Sequence, residues 1–218
     1  MDLSLATIVL WAVPVVFAIT LHEAAHGYIA MLLGDRTAFM LGRVTLNPLK
    51  HIDPVGTIAV PGFLIAVSVL TKAPLFIFGW AKPVPVNFDA LRNPKRDMFW
   101  VAGAGPTANF VMAIAWAILL KATLSGGVFS SDGLSEMSDA GVQVNLMLMA
   151  LNLLPILPLD GGRIVVSLLP RSLANRYASL EPYGFMVVVA LLATGILSVL
   201  MRPLLLAGQY AISVLLGL

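Results

Sequence analysis

The chain has 218 residues, 59% of them hydrophobic and only 11% charged, with a formal charge of +2. A mean hydropathy of +0.94 exceeds what a water-soluble domain of this length needs, which leaves a polytopic helical membrane protein. Cysteine is absent, so disulfide frameworks, thiolate metal sites and thiol proteases are excluded.

The first apolar run carries the chemistry. Nineteen residues from Leu3 to Leu21 bear no charge, His22-Glu23-Ala24-Ala25-His26 follows, and the apolar run resumes from Tyr28 to Leu33. One helix is expected over about residues 5–33, with Pro14 as a kink point and Gly34-Asp35 as its stop. The stretch lacks a basic leading region, so it does not read as an ordinary signal peptide. Histidines four residues apart share one helical face, about one turn from each other. Both imidazoles then reach one tetrahedral zinc ion at about 2.0–2.1 Å. Glu23 points roughly 100° round the helix, where it takes a proton from water instead of binding metal. An ionisable side chain at bilayer depth costs about 2.5–3.5 kcal/mol in the worst cases. Three together mark a working cavity.

Further along, Thr37 to Leu46 alternates weakly and holds β-branched residues, which predicts a short strand or hairpin broken at Gly42. Asn47-Pro48 and Asp53-Pro54 mark turns on either side of His51. Val55 to Phe78 is apolar but interrupted by Pro61, Gly62 and Pro74, so a spanning helix and a re-entrant hairpin both fit. Gly79 to Asn87 reads as extended because Pro83 and Pro85 disfavour helix. A helix over about 98–120, a polar loop over 123–139 and a helix over 140–154 come next. After the break at Pro155 and Pro158 stands Asp160-Gly161-Gly162. A helix over 183–201 and a short apolar segment over 204–216 close the chain. The expected fold is all-α and polytopic, with five to six membrane segments and a small membrane-associated β element. It forms a single integral-membrane catalytic domain over 1–218, with a core over about 4–170 and C-terminal membrane segments over about 183–216.

A catalytic zinc takes three protein ligands and keeps one position open. His51 lies in a loop beside basic residues and reads as a solvated or interfacial histidine. Asp132, Glu136 and Asp139 fall in the polar loop and need no special role. Asp160 differs, because a carboxylate just past an apolar helix needs a cation, and two glycines after it allow close backbone approach. The competing reading of Asp160 is a helix N-cap. Asn109 and Asn152 are amides in apolar helices, costly unless bonded.

Basic residues set the orientation. They gather in 34–54 (Arg36, Arg43, Lys50), 72–96 (Lys72, Lys82, Arg92, Lys95, Arg96) and 161–182 (Arg163, Arg171, Arg176). Placing all three in the cytoplasm leaves Arg202 on the far side and favours re-entry of 55–78. It puts His22, His26 and Asp160 at one depth near the cytoplasmic face.

His22-Glu-Ala-Ala-His26, Gly105-Pro-Thr-Ala-Asn109 and Asn152-Leu-Leu-Pro-Ile-Leu-Pro-Leu-Asp-Gly161 together resemble the three signatures of the site-2 protease family of intramembrane zinc metalloproteases. The resemblance runs from residue 20 to about 165, in the compact branch that has neither a PDZ nor a CBS domain. It implies Zn2+ held by His22, His26 and Asp160, with Glu23 as catalytic acid/base and Asn152 as an oxyanion donor. Asn109 is carried as a candidate substrate-binding residue. It also implies that the segments near 37–46 and 79–87 form a membrane-embedded sheet that pairs with an unwound substrate.

The expected reaction is hydrolysis of a peptide bond in or near a transmembrane segment of a membrane-protein substrate. The expected setting is the lipid bilayer of a prokaryotic cell, with a homo-oligomer left open and no nucleic acid as partner. A serine mechanism lacks its motif, since Thr123-Leu-Ser-Gly126 misses the first glycine, and an aspartyl mechanism lacks a second intramembrane aspartate. The alternative from another class is a zinc-binding or zinc-transporting membrane protein. Transport calls for several acidic or histidine residues along a path, and the chain offers one cluster.

Overall fold

The computed structural model describes residues 5–71, 81–126 and 130–217. Among these the regular structure is helical throughout: α1 (Leu5–Leu32), α2 (Thr37–Met40), α3 (Val60–Thr71), α4 (Pro94–Leu124), α5 (Asp132–Asn152), α6 (Asp160–Leu168), α7 (Arg171–Ala178), α8 (Glu181–Ala193) and α9 (Ile196–Leu216). Among the described residues, three helical stretches are long and apolar enough to cross a bilayer: Val9–Leu32, Pro94–Leu124 and Ile196–Leu216.

The core is α1, α4 and α5 packed on one another, with α6 against α4 and α9 against α5. Small residues let these axes approach. On α4, Val101, Gly105, Asn109, Ala113 and Ala117 recur every fourth position, and all are buried. On α1 the fully buried positions include Ala18 and Ala30, and on α5 Gly141 and Ala150. In lipid there is no hydrophobic drive between helices, so dispersion and buried polar bonds hold such an interface.

No strand forms among the described residues, which corrects the expectation for Thr37–Leu46. Asp35 Oδ1 accepts from the Thr37 amide at 2.9 Å, and the chain then closes local bonds, Met40 N to Arg36 O and Arg43 N to Ala38 O, both at 2.9 Å. Those local partners use the amides that a sheet ladder needs. Residues 81–87 are extended but unpaired with any strand. Prolines 83 and 85 remove two donors, and three other amides go elsewhere: Lys82 N to His51 O, Val84 N to Glu23 and Asn87 N to Asp35. Residues 79–80 of that predicted segment lie outside the described residues.

Other boundaries also move. Pro61 and Gly62 do not interrupt the apolar run: α3 follows directly on a π-helical turn over Pro54–Ala59 and continues through both residues. Residues 72–80, the second half of the predicted hairpin, lie outside the described residues. Half of the expected polar loop 123–139 is helix, since α5 starts at Asp132 and Ser138 Oγ turns inward to Leu134 O at 2.7 Å. The predicted helix over 183–201 divides at Gly195, which adopts φ of 74°, and α9 runs through Arg202 and Pro203. His51 is buried, not solvated, with Nε2 bonded to Thr45 O at 3.0 Å.

Asp35 is the fastener between the end of α1 and the 81–87 strap. It is 1% exposed and accepts from Thr37 N and, at 2.7 Å, from Asn87 N. Burial pushes its carboxyl up, and the bonds from Thr37 and Asn87 outweigh this and hold it below the ordinary value of 3.8. A carboxylate with a lowered folded pKa stabilises fully above its unfolded pKa and loses that stabilisation as pH falls through the folded value. Asp35→Ala is therefore expected to cost about 2 kcal/mol at neutral pH. In thermal unfolding followed by fluorescence, the gap to wild type should shrink once pH drops below 3.8.

Candidate metal centre

His22 and His26 project from the last third of α1 into a cleft of about 590 Å³, whose walls include Glu23, Val84, Asn152, Asp160, Arg163 and Phe185. His22 Nε2 lies 3.0 Å from His26 Nε2. Asp160 Oδ2 lies 3.2 Å from the first and 3.4 Å from the second. Three ligands about 2.0–2.1 Å from a tetrahedral zinc would stand about 3.3 Å apart. The donor triangle has that size.

Its chemistry fits as well as its shape. His22 Nδ1 is 2.6 Å from Asn109 Oδ1, and His26 Nδ1 is 2.7 Å from the Val101 carbonyl. Both partners are acceptors, so each Nδ1 carries the proton and each Nε2 presents a lone pair. Asp160 Oδ2 is buried with no hydrogen-bond partner. Two lone pairs and a carboxylate oxygen so close together repel unless a cation sits among them. Among the described residues, His22, His26 and Asp160 form the one cluster of this kind.

Local sequence explains how Asp160 arrives. α5 ends at Asn152, and residues 153–159 fold back so tightly that a Cβ on Gly161 would meet the Leu154 carbonyl at 2.3 Å. A Cβ on Gly162 would meet Leu157 N at 2.5 Å. The two glycines thus let α6 begin against its own entry loop, with Asp160 as its first residue. Asn152, the last residue of α5, lines the same cleft as Asp160. Asn152 Nδ2 donates to Leu148 O at 3.0 Å.

Glu23 lines the cleft and does not join the donor triangle. Its Oε2 accepts from Val84 N at 2.6 Å, so the extended strap fixes the carboxylate. Arg43 clamps that strap by donating to the Lys82 carbonyl at 2.8 Å. Asn109 is 0% exposed, stands behind His22 and is not among the residues that line the cleft. Its Nδ2 donates to Ala18 O at 3.2 Å and to Asn145 Oδ1 at 3.0 Å. The sequence marks Asp35 only as a helix stop and gives Asn145 and Val84 no role. Asn145 was open to the argument used for Asn109, an amide in an apolar helix. The Val84 amide carries no sequence signal.

Gly105 closes the site from α4. A Cβ there would lie 2.5 Å from His26 Nε2 and 2.6 Å from His22 Nε2. Gly105→Ala is expected to push both rings apart and weaken zinc binding at least tenfold, an outer-sphere effect of the usual size. Competition against a chromogenic chelator measures it, and unchanged affinity would contradict this packing.

Comparison with known proteins agrees with the geometry. Peptidase family M50 matches residues 122–195, the stretch that holds Asn152 and Asp160. A Bacillus subtilis protein provisionally named zinc metalloprotease YwhC is 38% identical over 204 residues, 92% of this chain and 87% of that protein. Two proteins provisionally named zinc metalloprotease Rip2 also match. The one from Mycolicibacterium smegmatis is 31% identical over 81% of this chain and 64% of its own length. The one from Mycobacterium tuberculosis is 28% identical over 76% of this chain and 54% of its own length. No solved structure matches. With the three-donor cleft between apolar helices, this kinship places the chain in peptidase family M50, the site-2 protease family of intramembrane zinc metalloproteases.

Proposed function

We propose that His22, His26 and Asp160 hold the zinc and that Glu23 is the general base and acid for cleavage of a transmembrane segment near the cytoplasmic face of a prokaryotic cell membrane. The observation that carries the reading is the buried, partnerless Asp160 Oδ2 facing two histidine lone pairs. Zinc bound there supplies a Lewis acid that polarises the scissile carbonyl and acidifies water.

This chain's own residues do the rest. Glu23 is held by Val84 N through Oε2, which leaves the other carboxylate oxygen for proton transfer. It takes a proton from the attacking water as the C–O bond forms. It returns that proton to the amide nitrogen as the C–N bond breaks. Asn152 shares the cleft wall with Asp160, and its second amide hydrogen is the donor for the developing oxyanion. The Ala81–Val86 side of the cleft is extended backbone, suited to lie along an unwound substrate. A substrate helix hides its carbonyls in its own bonds, so it must open locally before attack.

The cytoplasmic placement rests on α4. Lys95 and Arg96 stand at its start, and Val101, which receives His26, follows within about 10 Å of helical rise. The site is therefore near the basic end, which the positive-inside rule puts in the cytoplasm.

The test compares purified wild type and Glu23→Gln in detergent for zinc content and for cleavage of single-span substrates. One zinc per chain in both is expected, with cleavage reduced about 10²–10⁴-fold in the variant. Equal cleavage in both would overturn the role of Glu23. Zinc without cleavage in wild type would move the reading to zinc binding or transport. For Asn152→Leu, kcat should fall about 10²–10³-fold with zinc content unchanged. A chelator should abolish cleavage, and added zinc should restore it.

A further inference from the structure

Behind His22 runs a line of buried amides that the metal site does not itself contain. His22 Nδ1 meets Asn109 Oδ1 at 2.6 Å. Asn109 Nδ2 meets Asn145 Oδ1 at 3.0 Å, and Asn145 Nδ2 meets the Gly141 carbonyl at 2.8 Å. Asn109 and Asn145 are each 0% exposed, and His22 is 8% exposed. The three side chains come from α4, α5 and α1.

Polarity along this line is not free. A backbone carbonyl only accepts, so Gly141 O requires the NH2 end of Asn145. That turns Asn145 Oδ1 toward Asn109, and Oδ1 in turn requires the NH2 end of Asn109. The Ala18 carbonyl, 3.2 Å from Asn109 Nδ2, makes the same demand. Asn109 Oδ1 is then left for His22, whose Nδ1 must carry the proton. Were the Asn109 amide reversed, its NH2 would face Nδ1, the proton would move to Nε2, and the lone pair toward Asp160 would be lost.

Resting on the assignment of His22 as a zinc ligand, we infer that Asn145 is a positioning residue of the metal centre: through Asn109 it holds His22 in the Nδ1–H tautomer, the one that binds metal. Asn145 touches neither metal nor substrate. The inward face of α5 is thereby coupled to the chemistry on α1, with Asn109 of α4 as the intermediary.

The experiment measures zinc affinity of the full chain in detergent by chelator competition. It is paired with 15N ring spectra of histidine-labelled protein. The chain has three histidines, so loss of one set of signals in His22→Gln assigns His22. Asn145→Leu should raise the zinc Kd about 10–100-fold and give His22 a population with the proton on Nε2. Asn145→Asp should rescue both readouts, because a carboxyl buried this deeply stays neutral. Its C=O then accepts from Asn109 and its O–H donates to Gly141. Unchanged affinity and tautomer in Asn145→Leu would overturn the inference, as would an Asn145→Asp protein as weak as Asn145→Leu. If Asn145→Leu yields no folded protein, Asn145→Ser decides. Its hydroxyl turns to the i−4 carbonyl and is too short for Asn109, so retained affinity there overturns the proposal. A wild type that binds no zinc fails at the earlier step, the metal reading itself.

Discussion

Two imidazole nitrogens and a carboxylate oxygen within 3.4 Å of one another cannot rest together in an apolar interior without a cation. The structure follows from that constraint. Helical periodicity puts two donors on one face of α1. The third has to come from elsewhere in the chain, and the fold-back after α5 delivers it as the first residue of α6. Gly105 caps the rings from α4, where even one methyl group has no room. The small-residue stripes on α1, α4 and α5 therefore do more than pack helices. They bring α4 close enough to α1 for Asn109 and the Val101 carbonyl to reach the two histidines.

Lipid offers no water to satisfy a stray polar atom, so the polar groups around the donor triangle are tied to protein partners. Each histidine uses its second nitrogen on a buried acceptor. Glu23 receives the Val84 amide, and the strap bearing that amide is pinned by Arg43 at Lys82 and by Asp35 at Asn87. A catalytic carboxylate swinging freely in a cleft would lose rotamer entropy at each turnover. Fixing one oxygen with a backbone donor removes that cost beforehand. The strap does this because Pro83 and Pro85 keep it extended and deny it helical bonds of its own.

The chemistry was more legible in the sequence than the architecture around it. Two histidines and a glutamate in an uncharged run have few structural uses, and a carboxylate after a proline break in an apolar helix has fewer still. β-branched composition suggests a strand over Thr37–Leu46 but is blind to local capping, and Asp35 captures Thr37 before any ladder forms. At the start of α5 three acids and two serines resemble a loop. Serine hydroxyls that bond back to i−3 or i−4 carbonyls hide that helix from a composition argument. Gly195 could have been read as a helix end, since a residue at positive φ terminates helices. Its apolar flanks masked it. The contacts of Asn145 and of the Val84 amide are long-range, and no local pattern announces them.

Why amides stand behind His22, where a carboxylate is the commoner partner of a metal-bound histidine, follows from charge at depth. With zinc bound, Asp160 and Glu23 together already balance its two positive charges. One more carboxylate behind His22 would leave the layer negative inside the bilayer, at a cost of several kcal/mol. An amide carbonyl orients the imidazole as a carboxylate does and adds no charge. Its weakness is that it can turn over, presenting a donor where an acceptor is needed. Two references oppose that turn: the Ala18 carbonyl and Asn145, itself set by the Gly141 carbonyl, both require the NH2 end of Asn109.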